Sequence, residues 1–598
     1  MTAIRITLFG GIIPRLADRG LPDNAAQYAM NAKLYSGELR AWSRLRELAT
    51  LPIANSLTTF HYRLGGVDKY LAFPFHTYVV KAPLVNETLE RIYWSNINGV
   101  FVNTATRIDA NQPAFRLGVP APGGVFTVVP TGGTQANAVT RVYLATLVSS
   151  FGEESTTSTP VTVTGNSDGT WTVNGLNNLV VDSVNYPNIT KLRLYRTISS
   201  SGGTDYRMVN EWLIGARPAS YVDNITEVDI ADNFALQSLG WDLPPAGLKG
   251  LIGVAGGFMA GFIGKTVYLS VPYQAQAWPA DYQFAVEDNI VGLGTFGQTI
   301  VICTEGRGAL LTGPSPDAMS LAKLEGVQPC LSARSIVSTV AGVMYASTDG
   351  LVLVDGGSSR AEIMSKAWVT KTEWMSQFGP ATQMSSVYQD RYFSFYSDQL
   401  GLTVGFDDPV TGFTELQLSG VQSVDLDVLT GQTLITVGNK VYEWDGDATS
   451  TLEYQWRSKP FLVAKPVNMG AIQFRGTFVG SGQALPVPAA QGIGGYSINT
   501  LAVGAGKRPT KRYGGSLNGP PSWLALGVSP NGGSMNSGLS IKVYADGVLR
   551  WFGNVNDEEP HRLPSGYKAV RWEIEIQGSE AVYSAALAGT FKELEQVL

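Results

Sequence analysis

The chain is poor in the residues that most enzyme chemistry requires. Of its 598 residues only three are histidine and two are cysteine. His61, His76 and His561 stand at no spacing that would bring two imidazoles onto one helical face, which leaves little raw material for a histidine zinc site or a Ser-His-Asp triad. Cys303 and Cys330 lie in apolar, strand-like surroundings. Two thiols cannot build a multi-disulfide framework or a four-thiolate metal site, so buried free thiols are expected. Charge is scarce as well, at 15% of residues against roughly 25% in typical soluble domains. The net charge of −6 and pI near 5.4 supply no overall basic field. That argues against sequence-nonspecific wrapping of nucleic acid and is compatible with a channel through which DNA slides. No apolar run approaches the roughly 18 residues of a spanning helix. The opening Met1 to Gly10 lacks the apolar core and cleavage site of a secretory signal, so synthesis and assembly in a cytoplasm are expected.

What the chain does have is 67 glycines, many Ser, Thr, Asn and Gln, and 44% hydrophobic residues. This is the composition of a β-rich protein with many turns, and the length suits three or four domains at about 150 residues each. The first 57 residues read as an N-terminal segment in which Asp23 or Asn24 caps a short helix through Tyr28, Met30 and Leu34 to Gly37. Residues 58–118 read as short strands: His61 to Leu64 and Tyr70 to Phe73 about Gly65-Gly66, then Arg91 to Ser95 and Val100 to Val102 about Asn98-Gly99. Residues 119–240 change texture, with a Pro-flanked, Thr/Ser-rich stretch in which Arg141 to Val148 and Lys191 to Thr197 alternate with period two. An inserted fibronectin- or immunoglobulin-like sandwich is expected there.

From residue 241 to 460 a unit recurs: apolar strand, tight turn, second strand. It appears at Gly261 to Ser270, Ile300 to Arg307, Val343 to Leu353, Tyr388 to Phe395 and Leu434 to Trp444. A spacing of roughly 40 to 50 residues is that of four-stranded β-propeller blades. The expected fold class is therefore all-β, a β-propeller core carrying the inserted sandwich and followed by a C-terminal β domain over 461–598. That last domain is interrupted by a Gly/Pro-rich loop at 480–538. Beyond the loop, Leu539, Ile541 and Val543 alternate up to a turn at Asp546-Gly547, and Val570, Trp572, Ile574 and Ile576 alternate again.

Motifs that suggest chemistry fail on context. Gly292-Leu293-Gly294-Thr295-Phe296-Gly297 matches the dinucleotide fingerprint but runs into a strand at Ile300, where a phosphate-binding helix is required. Gly264-Lys265-Thr266 resembles the end of a P-loop, yet Met259 stands where the first glycine belongs. Glu153-Glu154, Asp407-Asp408 and Asp557-Glu558 fall at turns and read as solvated loops. No nucleotide, cofactor, metal or catalytic residue is therefore expected. One cluster supports a functional reading: Lys507, Arg508, Lys511 and Arg512, flanked by Tyr513 and glycines, place four cations where they can touch phosphates.

Several strings resemble a known family. Phe9-Gly10-Gly11-Ile12-Ile13-Pro14-Arg15 with Leu21-Pro22 and the expected helix from Ala26 to Leu34 looks like the opening of podophage tail nozzle proteins, also called tail tubular protein B or packaged-DNA stabilisation proteins. Ser150 to Ser155, Leu192 to Thr197 and Gly203 to Tyr206 are similar to the inserted immunoglobulin-like part of such proteins. Trp241 to Leu248, Pro272-Tyr273 with Trp278-Pro279, and Ala346 to Leu351 extend the resemblance over most of residues 1–450. The resemblance implies a non-enzymatic structural protein of the virion tail, forming a homohexameric ring beneath the adaptor ring and portal. It also implies a central channel for retention and ejection of packaged double-stranded DNA. Further implied partners are tail fibres or spikes and, at the distal end, the host envelope. The loop around Lys507, Arg508, Lys511 and Arg512 is then the candidate gate of the channel. Two other classes stay in view: a fibre-like adhesin that binds surface glycan through exposed aromatics such as Trp171, Trp212 or Trp523, and a propeller-type glycan hydrolase with carboxylates converging on a central pocket.

Overall fold

Period-two alternation and turn dipeptides become strands and tight hairpins throughout. The computed structural model describes residues 3–84, 87–133, 138–200, 203–355, 359–397, 399–405, 412–478 and 538–597, with the side chains of residues 199, 200, 203, 204, 596 and 597 outside that description. The chain divides into two compact units, one of residues 1–59, 330–353 and 362–598, the other of residues 60–329 and 354–361. It is all-β, built mainly from four-stranded antiparallel meanders of the kind that form propeller blades.

In the second unit three such meanders occur. One comprises Tyr78–Lys81, Arg91–Asn96, Gly99–Thr104 and Phe115–Arg116; the next two run from Lys249–Val254 to Gln283–Ala285 and from Ile290–Phe296 to Ser320–Lys323. Between the first and second lies a sandwich. A three-stranded sheet in the order Thr127–Thr131, Thr170–Asn174, Ser220–Asp223 is one layer, and a four-stranded sheet in the order Val161–Asn166, Ala138–Ser149, Ile189–Ser200, Gly203–Leu213 is the other. Inward residues of both, among them Tyr143, Leu147, Trp171, Val173, Leu192 and Leu194, form a single core. At one end of that core Arg196 is enclosed. Its Nε is 2.9 Å from Asp223, its Nη1 donates to Glu227 at 2.7 Å, and the hydroxyl of Tyr143 donates to Asp223 at 2.8 Å. Arg141 meets the same Glu227 and lies over the ring of Trp171 at 4.5 Å.

In the first unit the meander of Met384–Tyr388, Arg391–Tyr396, Leu400–Gly405 and Thr414–Gln417 does not end at its fourth strand. Ala26–Met30 pairs beside it, and Tyr454–Ser458, Ala569–Gly578, Leu539–Ala545 and Val548–Val555 continue one sheet of ten strands, to which Phe461–Val467 also belongs. A second sheet, in the order Ala3–Ile6, Ala581–Ala588, Ala471–Thr477, His561–Arg562, shares its core, where Ile4, Ile6, Phe474, Trp572, Ile576 and Leu587 are buried.

The expected helix between Asp23 and Gly37 is not formed. Ala26–Met30 and Ala32–Lys33 are strands, with Asn31 in the left-handed region at φ 53° between them. Alanine-rich propensity favours a helix, but tertiary context overrides it. The small side chains of Ala26 and Ala29 are wholly buried where Ala26–Met30 lies between two neighbouring strands, a place that admits little else.

The last meander, Val421–Leu426, Thr433–Val437 and Lys440–Thr451, takes its fourth strand from the other end of the sequence, Ser43–Thr50. Asp445 anchors that join. Its backbone lies at φ 58° where Lys440–Thr451 slips register, and its carboxylate accepts from the Ser43 N–H, the Lys33 ammonium and the Tyr388 hydroxyl, each at 2.6 Å. Lys33 in turn faces the Trp42 ring at 5.1 Å. A strand from the N-terminal segment thus completes a sheet formed some 400 residues later.

Candidate functional site

Lys507, Arg508, Lys511 and Arg512 lie outside the described residues, between the strands Ala471–Thr477 and Leu539–Ala545; Asp407-Asp408, between Leu400–Gly405 and Thr414–Gln417, also lies outside them. The other singled-out residues have structural surroundings. Gly292 to Gly297 is a strand followed by a hairpin turn, with Gly297 at φ 57°, and the next residues are the strand Thr299–Thr304. Gly264-Lys265 is the turn between Phe258–Ile263 and Thr266–Leu269, where the Lys265 ammonium donates to the carbonyl of Glu287. Cys303 and Cys330 are buried and are not joined in a disulfide.

His61 is buried 3.0 Å from Asp68 and stacked on Tyr70; His76 stands edge-on to Tyr78; His561 is 3.3 Å from Asp557. Glu153 is buried against Arg91 at 2.7 Å. Its enclosure raises the carboxyl above its ordinary value, and the arginine opposes that rise. Glu154 accepts from the hydroxyl of Tyr195 at 2.8 Å and from Arg193 at 3.2 Å. Adjacent in sequence, the two carboxylates are spent on separate ion pairs, so they are no acid-base couple. Glu558 accepts the Gly476 N–H in an exposed loop. Among the described residues no group of three His, Cys, Asp or Glu is placed to hold a metal ion.

Instead, the first unit presents a groove that the sequence did not announce. Three hairpin connections build it. Thr339 to Gly342 turns between Val337–Thr339 and Gly342–Ala346, and the Thr339 hydroxyl bonds the Gly342 carbonyl and the Ala341 N–H. Gln389 and Asp390, at φ 45° and 57°, form the two-residue turn between Met384–Tyr388 and Arg391–Tyr396. Such a turn is cheapest with Asn-Gly, because a β-carbon at positive φ is strained. Here two larger side chains occupy it at positive φ.

The third connection follows Val421–Leu426. Asp427 is buried, its carboxylate accepting from the Leu429 N–H at 2.9 Å and from the Thr430 hydroxyl, while the Gly431 N–H bonds its carbonyl at 2.7 Å. That self-bonded loop is a rigid pedestal, and it holds Val428 out to solvent at 65% exposure and Leu429 at 43%. Val340 opposite is 79% exposed. The groove is open to solvent and offers about 410 Å³. Val340, Val387 and Leu426 supply its aliphatic surface among the polar Ser338, Thr339 and Gln389, and it carries the Asp390 carboxylate, for which no cation stands within ion-pair distance among the described residues. Contiguous exposed apolar surface with one charge at its rim marks a place of contact with another molecule.

Below the groove, Asp425 has its carboxyl enclosed. It accepts the Thr59 N–H at 3.1 Å, and burial lifts it to about 6, with Ser423, Thr59 and then Arg334 acting against the rise.

No protein-family model matches the sequence, and no curated protein matches it. Solved structures to which the chain is similar include the Pan2 WD40 domain of Neurospora crassa, at a TM-score of 0.26 and 8% identity over 48% of this chain and 87% of that one. Others are BamB from Moraxella catarrhalis, at 0.22 and 9% over 54% and 98%, and AztD from Citrobacter koseri, at 0.22 and 11% over 47% and 96%. The likeness at these identities concerns β architecture only.

Proposed function

We propose that this chain is a structural virion protein that forms the ring-shaped tail nozzle of a short-tailed phage, a channel through which packaged double-stranded DNA is retained and released. The observation that carries the reading is where its most family-like string lies. Phe9-Gly10-Gly11-Ile12-Ile13 is threaded through the core of the first unit. Phe9 meets Trp456 at 4.9 Å, the Gly10 carbonyl accepts the Trp456 indole N–H, and Ile12 exchanges backbone bonds with Phe413. A segment that resembles the family is thus spent on holding distant parts of the chain together, as befits a part that works by shape and rigidity.

The interleaved chain ends support the same reading, since Ala3–Ile6 and Ser43–Thr50 are both tied into sheets formed by the C-terminal half. Opening and closing of such a channel needs movement and no covalent step. The adhesin alternative relies on exposed aromatics, yet Trp171 is enclosed in the sandwich core and Trp212 packs edge-on against Tyr221. Trp523 lies outside the described residues.

Electron microscopy of intact particles and of the purified chain tests the proposal. A sixfold ring on the tail axis is expected. A peripheral or threefold, fibre-attached position overturns it and favours the adhesin.

A further inference from the structure

The strand Val548–Val555 is the terminal strand of the ten-stranded sheet in the order found among the described residues. A β-bulge lies at Arg550, between Leu549 opposite Tyr544 and Trp551 opposite Val543, and Arg550, Phe552 and Asn554 are exposed there. Phe552 is 59% exposed, and Arg550 is steadied over the Tyr567 ring at 4.8 Å with no carboxylate in ion-pair distance among the described residues. This edge therefore offers an exposed aromatic ring and a cation close together, while the groove offers the aliphatic side chains of Val340, Val387 and Leu426 and the carboxylate of Asp390. The groove, of about 410 Å³, is open to solvent, so a phenyl ring can enter it from the surface.

We infer that the chain binds a second copy of itself head to tail, with Phe552 of one copy seated in the Val340–Leu426 groove of the next and Arg550 paired with Asp390. The complementarity is in shape and charge: each patch has what the other lacks. The patches are different surfaces, so the contact is heterologous and propagates until it closes into a ring or runs on as a filament. It also covers a sheet edge that would otherwise invite uncontrolled strand pairing. The inference deepens the ring reading proposed above, and rests on it only for closure.

The test uses the full chain with the photo-crosslinking residue p-benzoylphenylalanine at position 552, mixed with isotopically labelled chain so that inter-chain products are identified. Sedimentation velocity is run in parallel on D390R, R550D and the double variant. Cross-links from 552 to residues 340, 387 or 426 of another chain are expected. Each single reversal should weaken self-association at least about tenfold, and the double reversal should recover most of the loss. Cross-links that map elsewhere, a chain still monomeric at about 1 mM, or a double variant no better than the singles would each overturn the inference. The two proposals fail separately. A sixfold ring whose 552 cross-links lie elsewhere removes this contact and keeps the nozzle; a filament or dimer with 552 in the groove keeps the contact and removes the nozzle.

Discussion

The indole N–H of Trp456 donates to the carbonyl of Gly10 at 2.9 Å, joining residues 446 positions apart inside a closed core. The bond does two things at once. It satisfies a buried carbonyl in a glycine-rich segment that has few side chains of its own to hold it, and it orients the indole edge-on to Phe9. Stability of the first unit therefore depends on a polar contact between the ends of the chain as well as on apolar packing.

Replacing Trp456 by phenylalanine keeps an aromatic ring and removes the donor. The Gly10 carbonyl is then buried without its partner, which costs about 1–2 kcal/mol, whereas Trp456→Ala also opens a cavity and costs about 3–5 kcal/mol. Thermal unfolding should show the two variants lowered in that order. A Trp456→Phe melting temperature equal to that of the parent chain would mean that water or another donor replaces the indole.

The hairpins about Gly65-Gly66, Asn98-Gly99 and Asp546-Gly547 were legible because alternation and turn chemistry are local; Gly65, Gly66, Asp546 and Gly547 adopt positive φ as turn residues, whereas the second turn is Ile97-Asn98 with Gly99, at φ 125°, opening the next strand opposite Asn96. The pairing of Ser43–Thr50 with Lys440–Thr451 was not legible, since nothing in either strand names its partner. Ala26–Met30 misled for a related reason: its composition is helical, and only its place between two strands explains why it is extended. The groove was invisible for the same cause, because Val340, Asp390 and Leu426 meet only through topology. One local signal existed, Gln389-Asp390 at a hairpin turn where Asn-Gly is cheaper. The basic cluster at Lys507 to Arg512 was the sequence's own choice of site, and the described residues do not reach it.

Arg196 and Asp223 are both fully enclosed at the end of the sandwich core, 2.9 Å apart. Arg196→Met leaves Asp223 buried without its cation, held by the Tyr143 hydroxyl and the Ile225 N–H, and the loss should be about 3–5 kcal/mol. Adding Asp223→Val removes the stranded carboxylate as well. The double variant should therefore melt above Arg196→Met alone, the two changes being strongly non-additive. Glu227 is about half exposed, so its bridge to Arg196 contributes little and Glu227→Gln should be nearly neutral. Simple additivity of Arg196→Met and Asp223→Val in a thermal double-mutant cycle would show that the pair does not act as a unit.

Asp425 yields a pH-dependent prediction. Burial holds its carboxyl at about 6 in the folded chain, above the value of about 3.9 of an unfolded aspartate. Between those values the folded state keeps a proton that the unfolded state has lost. Stability from this group therefore falls as pH rises from about 4 to about 6 and stays level beyond, the reverse of a salt-bridged carboxylate. The gap between the folded and unfolded values is equivalent to about 3 kcal/mol. Asparagine at this position is neutral at every pH, and its side-chain oxygen can still accept the Thr59 N–H. Removing the negative charge also withdraws a neighbour from Arg334, but that arginine already donates to the carbonyls of Leu57 and Gln422, and its attraction for Asp425 is outweighed by burial. Asp425→Asn should thus be more stable than the parent chain by about 2–3 kcal/mol at pH 8, with the difference vanishing near pH 4. Other carboxylates titrate identically in both chains, so the difference between paired melting curves isolates this one. A constant offset across pH 4 to 8 would assign the effect to packing, and a loss of stability at pH 8 would mean that the Arg334 attraction outweighs burial.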